Sequence, residues 1–405
     1  MHHWIEAGTI TSPLGFTAAA GSAGIKADGS PDLALIVCEK TATAAAVFTK
    51  NLVESDTVTL CRAHAASGQA RAFIDNSGNA NCCTPDAYRV AEGICTAVGQ
   101  ALACPPEEVL PASTGIIGES LDLAPVAAAI PDLAAALSKA GGAACARAIM
   151  TTDTQPKAAA LSYSREGHTI TLGAIAKGSG MIHPNMGTMH ALISTDAAIS
   201  PALLKKALQA AVDRSFNMVS VDGDTSTNDT VAIMASGLAG APEIQSQGPA
   251  YQAFADALEA LCIHLAKAIA ADGEGASRLI ICQVQGAPTE ADAKTVAKSV
   301  ITSPLVKTAI YGGDANWGRI IAACGYSGAP IRSDRIDIRL ETPAGSATVC
   351  QGGRATGLSR REVSPLFEQT PVTLVINLGL GDGRAEAYGC DLTEKYVDIN
   401  AAYEV

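Results

Sequence analysis

Short apolar runs alternate with longer stretches of helical periodicity along most of the chain. The apolar runs are rich in β-branched residues and are bounded by Gly, Pro, Asn or Asp, a pattern typical of strands. The predicted strands are Leu33–Val37, Ala72–Asp75, Thr169–Ile175, Arg278–Val284, Ile336–Leu340 and Val372–Asn377. The predicted helices are Ala87–Leu102, Leu121–Lys139, Pro201–Arg214, Tyr251–Ala270 and Thr289–Lys298. The alternation predicts an α/β or α+β fold. A fresh strand–helix–strand series after Gly273 predicts a lobe boundary near residue 275, with a smaller C-terminal lobe.

Composition narrows the classes of partner. Of the 405 residues, 48% are hydrophobic and only 4% are aromatic, so Ala, Val, Ile and Leu must form most of a sizeable core. The formal net charge of −12 disfavours nucleic acid and anionic membrane surfaces as partners. The N-terminal segment lacks the features of a secretory signal, and the longest apolar stretches are shorter than the roughly 18–20 residues that span a bilayer. We therefore expect a cytoplasmic protein.

The twelve cysteines are scattered and include no C-x-x-C pair. The adjacent Cys82 and Cys83 cannot easily serve one tetrahedral zinc together. Most of the others lie in apolar surroundings, as in the run that ends at Cys38. We expect reduced, buried thiols and no metal site.

The least ordinary stretch is Lys177–Met189, whose glycines and proline indicate unusual backbone geometry. Thr188 in this stretch is either a surface threonine in a flexible loop or a nucleophile. A threonine hydroxyl needs an adjacent base, and cleavage of the peptide bond before Thr188 would supply one, its own freed α-amine. The hydroxyl could make that cut itself, by attacking the carbonyl of Gly187 in an N→O acyl shift.

An oxyanion formed in that chemistry needs hydrogen-bond donors held in place. Ala112–Gly118 is predicted to be a small polar turn, whose backbone N–H groups and Thr114 hydroxyl could point at one oxygen. Turns of this composition are common, so this segment alone does not establish a site.

Three further segments have ordinary explanations. Asp222–Thr230 lacks the distal glutamate of an EF-hand, so we interpret it as a cap and turn that open the apolar run Val231–Met234, and a buried scaffold near an active site is the alternative. Asp272–Gly275 is expected to end a long helix, where Glu274 either grips a cationic amine or is solvated. Gly379–Gly383 lacks the pattern of a nucleotide-binding loop.

Taken together, the motifs resemble those of the ornithine acetyltransferases, the bifunctional glutamate N-acetyltransferases of arginine biosynthesis. The similarity runs essentially from end to end. The matching motifs are Gly15-Phe16, Ala23–Lys26, Val47–Thr49, Asn76–Asn81, Ser113–Gly118, Met150–Asp153, Pro156-Lys157, Lys177–Met189, Ser226–Thr230, Asp272–Gly275, Asn316–Arg319, Tyr396-Val397 and Ile399-Asn400. Their number and order argue against chance agreement.

The resemblance implies a self-cleaving precursor that is cut between Gly187 and Thr188. The products would be an α chain of residues 1–187 and a β chain of residues 188–405, assembled as a heterotetramer of two α and two β chains. The implied fold has stacked sheets flanked by helices, the N-terminal-nucleophile-like fold of this family. Thr188 would take the acetyl group from N2-acetyl-L-ornithine and pass it to L-glutamate, without a bound cofactor. Whether acetyl-CoA also serves as a donor is left open.

By the same resemblance, Thr114 and Gly115 line the oxyanion hole. The residues expected to contact substrate are Thr151, Lys177, Thr188, Glu274 and Asn400. Lys177 suits a substrate carboxylate and Glu274 suits an amine, so one small pocket can serve both amino acids.

The chain departs from the family's usual pattern at several positions. Gly187 stands where alanine is usual, and the chain ends in Val405 instead of Thr or Ser, so a substrate contact from the chain end is not carried over. His183 and His190 stand where small or apolar residues are common. Because the α-amine of Thr188 already acts as a base, a catalytic His183 is disfavoured, and the role of His190 is left open.

Two other hypotheses stay open at this point. One is an N-terminal-nucleophile aminopeptidase or amidase, in which water replaces glutamate as the acceptor. The matches at Lys177 and Glu274 favour the transferase, because a dedicated amino-acid pocket is needed. The other is an uncleaved, non-catalytic relative that serves in binding or assembly.

Overall fold

The architecture is taken from a computed structural model, which describes residues 2–183 and 189–402. The strands are β1 (His2–Trp4), β2 (Phe16–Gly21), β3 (Leu33–Phe48), β4 (Gln69–Asn79), β5 (Val109–Ile116), β6 (Lys157–Arg165), β7 (His168–Lys177), β8 (His190–Thr195), β9 (Val219–Ser220), β10 (Thr230–Ala235), β11 (Leu279–Ala287), β12 (Asp337–Thr342), β13 (Gly345–Gln351), β14 (Arg354–Ala355), β15 (Val372–Asn377) and β16 (Gly383–Cys390). The helices are α1 (Asp56–Ala65), α2 (Ala87–Leu102), α3 (Leu123–Ala135), α4 (Gly142–Ala148), α5 (Pro201–Arg214), α6 (Pro249–Ala271), α7 (Glu290–Thr302), α8 (Pro304–Tyr311), α9 (Trp317–Gly325), α10 (Arg360–Val363) and α11 (Glu394–Ala402).

Helices with clear periodicity lie close to where the sequence predicts them. Both α2 and α5 match the predicted bounds at each end. Helix α7 starts one residue after Thr289, whose side chain accepts a hydrogen bond from the backbone N–H of Asp292 as an N-cap. Helix α6 starts earlier than predicted, because Pro249 takes a first-turn position. Helix α3 is shorter than predicted and begins after the N-cap Asp122.

The prediction of a polar turn at Ala112–Gly118 is wrong. Residues up to Ile116 belong to β5, which pairs in parallel with β4. Ser113 Oγ donates to Asn76 Oδ1 of β4 at 2.6 Å, so its polar side chain is satisfied inside the sheet. Pairing with β4 outweighs the weak strand propensity of the polar residues. The predicted cap before Val231–Met234 is also wrong, because that run lies in strand β10.

The long strand β3 bends the first sheet back on itself. Residues 33–37 and 42–43 of β3 pair with β4, with a register shift between them, and residues 43–48 pair with β10. The order of this nine-stranded sheet is β1-β6-β7-β8-β10-β3-β4-β5, with β2 beside β3. One core cluster joins both halves, because Phe73 of β4 lies in it together with Leu192 of β8 and Ala232 of β10. The halves therefore face each other as stacked layers.

A second sheet of seven strands has the order β14-β13-β12-β15-β11-β16-β9. All of these strands except β9 follow residue 275. The long helix α6 contacts β6 and β7 of the first sheet and β11 and β16 of the second. The predicted α/β class with stacked sheets and flanking helices is confirmed. The predicted lobe boundary falls in the loop between α6 and β11.

The twelve cysteines are all free and ten of them are buried, which confirms the prediction of buried thiols. In residues 2–183 and 189–402, no group of three or more His, Cys, Asp or Glu side chains is arranged to hold a metal ion. In the same ranges, no helix combines the length and the apolar character needed to cross a membrane.

Candidate active site

A cavity of about 220 Å³ lies where the ends of β5 and β7 and the start of β8 approach the loop after α6. Its described lining residues are Ala80, Thr114, Gly115, Ile116, Ile117, Thr151, Thr152, Lys177, Gly180, Met181, Met189, His190, Ser226, Thr227, Asn228, Asp229, Glu274 and Asn400. The predicted site residues in this set are Thr114, Gly115, Thr151, Lys177, Glu274 and Asn400. The fold therefore gathers positions from distant parts of the chain at one cavity.

Lys177 and Thr114 are in direct contact between the two layers. Lys177 Nζ donates to Thr114 Oγ1 at 3.0 Å. Because the ammonium group uses a lone pair of that oxygen, the O–H hydrogen of Thr114 remains available to another acceptor. A hydroxyl polarised by a neighbouring cation is a suitable donor to a developing oxyanion.

Gly115 lies at an irregularity in the pairing of β4 with β5. Its φ of +137° favours glycine. A Cβ atom added there would lie 2.2 Å from the carbonyl carbon of Gly78, so a side chain does not fit. The register shifts directly after Gly78, and such bulges redirect the backbone of a strand. The sequence thus needs glycine at the point where β5 reaches the cavity.

Burial and acidic neighbours act in opposite directions on Lys177. Burial lowers the pKa of Lys177, whereas Asp153, Asp75 and Asp229 favour its ammonium form. Burial alone would raise the pKa of Asp153, but Lys177 and Lys157 hold that pKa below its ordinary value. The cavity wall therefore contains a buried cation that surrounding carboxylates stabilise.

A buried ion-pair network joins the Thr151 segment to the end of α6. Lys157 Nζ lies 2.6 Å from Asp153 Oδ1 and 2.6 Å from Asp272 Oδ2. The backbone N–H of Thr151 donates to Asp153 Oδ2 at 3.1 Å. Asp272, the C-cap of α6, also accepts from the backbone N–H and the hydroxyl of Thr154. The network therefore holds the Thr151 wall of the cavity against the helix end.

We expect Lys157→Met to destabilise the protein by about 3–5 kcal/mol, because it leaves Asp153 and Asp272 without their shared cation. Denaturant unfolding followed by circular dichroism measures this loss. Lys206→Met is the matched control, since the exposed Lys206 Nζ donates to the neutral Gln247 Oε1 and surface changes usually cost less than about 0.5 kcal/mol. Equal stability of the two variants would contradict a structural role for the network.

Glu274 forms another part of the wall and is held by two hydrogen bonds. Asn400 Nδ2 of α11 donates to Glu274 Oε2 at 2.7 Å. The backbone N–H of Glu274 donates to the Ser179 carbonyl oxygen at 3.1 Å. A Cβ atom added to Gly180 would lie 2.3 Å from the carboxyl carbon of Glu274, so glycine permits this close approach. The carboxylate of Glu274 is therefore fixed at the cavity. Of the two predicted alternatives, a solvated side chain and a held one, the structure shows the held side chain, since Glu274 is only 8% exposed.

The loop Asp222–Thr230 supports the cavity beside β10. Asn228 Nδ2 donates to the carbonyl oxygens of Ala80 and Ser113, at 2.5 and 2.8 Å. The carboxylate of Asp222 accepts two backbone N–H groups from the segment that follows β7. This loop therefore ties the strand that carries Thr114 to the opposite layer.

His183 and His190 have different surroundings. His183 Nδ1 lies 3.1 Å from Ser220 Oγ. Burial, together with the nearby Lys298, lowers the pKa of His183 to about 4, so the ring is neutral at pH 7. His183 is absent from the described residues that line the cavity, whereas His190 is one of them.

The predicted cleavage site and chain end, at Gly187, Thr188 and Val405, lie outside the described residues. Their roles stay predictions. The sequence analysis gave no separate role to Asp153 and Lys157. Their opposite charges and their spacing of four residues are the signal that could have indicated an ion pair. The complete network could not be predicted from the sequence, because Asp272 lies 115 residues from Lys157.

A buried ammonium group, a fixed carboxylate and a polarised hydroxyl in one small cavity define an enzyme site for a small ligand that carries opposite charges. Over residues 17–405 the chain matches the model of the ArgJ family. The chain therefore belongs to the ArgJ family, which confirms the resemblance found in the sequence.

Individual relatives agree with this assignment. The chain is 47% identical over 403 residues to the arginine biosynthesis bifunctional protein ArgJ of Symbiobacterium thermophilum, covering 99% of each chain. It is 45% identical over 421 residues to the protein of the same name from Thermosynechococcus vestitus, covering 100% of each. A solved structure of the arginine biosynthesis bifunctional protein argJ from Bacillus halodurans is 46% identical, with a TM-score of 0.51, and the match covers 53% of this chain and 100% of that one.

Proposed function

We propose that this chain is an acetyltransferase of arginine biosynthesis, which moves the acetyl group of N2-acetyl-L-ornithine to L-glutamate. The observation that carries the proposal is the gathering of Thr114, Gly115, Thr151, Lys177, Glu274 and Asn400 around one cavity. Membership of the ArgJ family and the names of its members support the assignment to arginine biosynthesis.

The proposed reaction begins with self-cleavage between Gly187 and Thr188. The Thr188 hydroxyl attacks the Gly187 carbonyl, and water hydrolyses the resulting ester, which frees the α-amine of Thr188.

In the first transfer, the α-amine of Thr188 takes the proton of its own hydroxyl, and Oγ attacks the acetyl carbonyl of acetylornithine. The developing oxyanion would accept from the hydroxyl of Thr114 and from the backbone at Gly115. The contact from Lys177 leaves the Thr114 hydrogen available for this. Ornithine then leaves with the proton, and the acetyl group stays on Thr188.

In the second transfer, glutamate binds in the same cavity and its α-nitrogen takes the acetyl group. The ammonium group of Lys177 suits the substrate carboxylate, and the carboxylate of Glu274 suits the cationic side chain of ornithine. Thr151 and Asn400 complete the contacts. Use of one cavity for both amino acids is consistent with ping-pong kinetics.

We extend the proposal to the surroundings of the enzyme. The twelve free cysteines fit the reducing conditions of the cytoplasm. No bound cofactor is assigned, and acetyl-CoA is proposed as a second acetyl donor. The two products are expected to assemble as a heterotetramer of two α and two β chains, which the native mass would test.

An acceptor assay tests the proposal. With acetylornithine and glutamate, the purified protein should form ornithine and N-acetylglutamate in equal amounts. Release of acetate without N-acetylglutamate would instead indicate an N-terminal-nucleophile hydrolase. Formation of N-acetylglutamate from acetyl-CoA and glutamate alone would establish the second donor.

We expect Glu274→Gln to raise the KM for acetylornithine by about 10- to 100-fold, the effect of losing a hydrogen bond to a charged group, worth about 1.5–3 kcal/mol. Glutamine has a similar shape and can still accept from Asn400, so the change removes charge and little else. Steady-state kinetics with varied acetylornithine measure this effect.

Glu243→Gln is the matched control, because Glu243 is exposed and accepts from Gln245 at the surface. It should leave the KM unchanged. An unchanged KM in Glu274→Gln as well would remove Glu274 from the substrate contacts.

A further inference from the structure

A second buried polar pair reaches the cavity. His190 is the first residue of β8, and Asp75 lies in β4, in the facing layer of the first sheet. His190 Nδ1 lies 2.8 Å from Asp75 Oδ2, and the two side chains are only 2% and 0% exposed. With Asp75 as the acceptor, Nδ1 carries the hydrogen of this bond.

The other ring nitrogen, Nε2, is buried and has no hydrogen-bond partner among the residues that the structure describes. In the neutral tautomer that donates from Nδ1, the lone pair of the ring lies at Nε2. His190 lines the cavity, and no described residue uses this lone pair.

Charged groups face His190 from each neighbouring element. Asp75 contacts the ring from β4, and Lys177 is its register partner on β7. Asp229 directly precedes β10, the parallel neighbour of β8, and Glu274 lines the cavity from the loop after α6. Lys177 also contacts the expected oxyanion hole. His190 and the expected oxyanion hole therefore share Lys177 as a neighbour.

The acceptor amino acid has a specific chemical need at this point. A free amino acid carries its α-nitrogen as an ammonium group at neutral pH, and an ammonium nitrogen has no lone pair for attack. The α-amine of Thr188 serves the Thr188 hydroxyl. The nitrogen loses one proton before it attacks and a second one afterwards. The Thr188 amine carries the second proton to Oγ, so another base is needed for the first, and such bases contribute about 10²- to 10⁴-fold to a rate.

We propose that His190, oriented by Asp75, accepts a proton from the α-ammonium group of glutamate and later returns one to ornithine. This inference rests on the proposed function. After glutamate gives one proton to Nε2, its nitrogen attacks the acetyl carbon of acetyl-Thr188. The new C–N bond forms, the C–Oγ bond breaks, and the second nitrogen proton passes through the Thr188 amine to Oγ.

The proton held on His190 is accounted for in the other half of the cycle. Cleavage of the acetylornithine amide transfers the hydroxyl proton of Thr188 to the leaving nitrogen, which gives the neutral α-amine of ornithine. That amine takes the proton from Nε2 and leaves as an ammonium group. His190 is thus protonated after the glutamate half-reaction and neutral after the ornithine half-reaction, so the protons balance over the two halves.

The test is the pH dependence of acetyl transfer to glutamate in His190→Asn, relative to wild type. The asparagine amide can replace Nδ1–H as the donor to Asp75, but nothing replaces Nε2. We expect a rate about 100-fold below wild type at pH 7. The gap should narrow to less than 10-fold at alkaline pH, because glutamate then arrives with its amine already neutral. Rates are expressed per chain that begins at Thr188, as counted by mass spectrometry.

Two further variants make the result specific. His168→Asn is the matched control, because His168 Nδ1 bonds the Ala239 carbonyl oxygen at the far end of β7, and it should keep wild-type rates. Asp75→Asn lets an amide donate to Nδ1, which moves the ring hydrogen to Nε2, so it should reproduce the pH-dependent loss.

A wild-type rate in both His190→Asn and Asp75→Asn, or an equal loss at every pH, would overturn the role of His190 while leaving the acetyltransferase intact. Wild-type protein that transfers no acetyl group to glutamate would contradict the proposed function and, with it, this inference. The two failures are therefore distinguishable in one set of measurements.

Discussion

Thr188→Ala should remain a single chain of full length and transfer no acetyl group. Without a hydroxyl at position 188, neither the acyl shift at Gly187 nor the acetyl-enzyme can form. Loss of a nucleophile of this kind lowers turnover on the order of 10⁴-fold or more. Intact mass spectrometry of the purified protein checks the cleavage, and the acceptor assay checks the transfer.

Two controls sharpen this result. Thr188→Ser keeps a hydroxyl and should still be cut, with part of the activity retained. Thr356→Ala changes an exposed threonine directly after β14 and should behave as wild type. Wild-type protein that stays uncut and still transfers acetyl groups would refute the mechanism.

The second large effect is expected from Lys177→Met. Methionine has a similar length but no charge, so Thr114 loses the donor at its oxygen and Asp153, Asp75 and Asp229 lose a central cation. Removal of an oxyanion-hole group typically lowers kcat by about 10²- to 10³-fold, and loss of substrate binding adds to this in kcat/KM. Steady-state kinetics on the cleaved protein measure both.

Stability must be followed alongside activity in this variant. Loss of one partner from a buried charge network costs about 3–5 kcal/mol, so Lys177→Met should also unfold at lower denaturant concentration. Lys294→Met, which removes a surface ion pair to Glu290, provides the control for loss of a lysine. A Lys177→Met enzyme that is destabilised but retains full kcat/KM would give Lys177 a purely structural role.

Much of the fold could be predicted from the chain because its helices repeat one apolar face. The bounds of α2 and α5 follow directly from that period. The strand β3 could not be predicted in full, because the exposed polar residues 39–41 interrupt its apolar pattern and only Leu33–Val37 looks like a strand. Its bend depends on partners β4 and β10, which are distant in sequence. The stacking of layers that forms the cavity was therefore predictable only through the family resemblance.

The candidate site was likewise predictable only in part. Residues within recognisable motifs, such as Thr114, Lys177 and Glu274, could be named from the sequence. The bond between Asp75 and His190 could not, because the two residues are 115 positions apart and meet only when the layers face each other. A buried histidine in an apolar run is an ordinary sequence feature. Its unpaired Nε2 becomes informative only beside a cavity.

The order of strands in the first sheet has a consequence for how the proposed products can exist. Strands β8 and β10, which follow Thr188, lie between β7 and β3, which precede it. A cut before Thr188 would leave each product with open strand edges that only the other product completes. The two chains would then behave as halves of a split protein: each should aggregate when expressed alone, and co-expression should restore one folded unit. Their separation would be the same event as unfolding, so dilution alone should not part them.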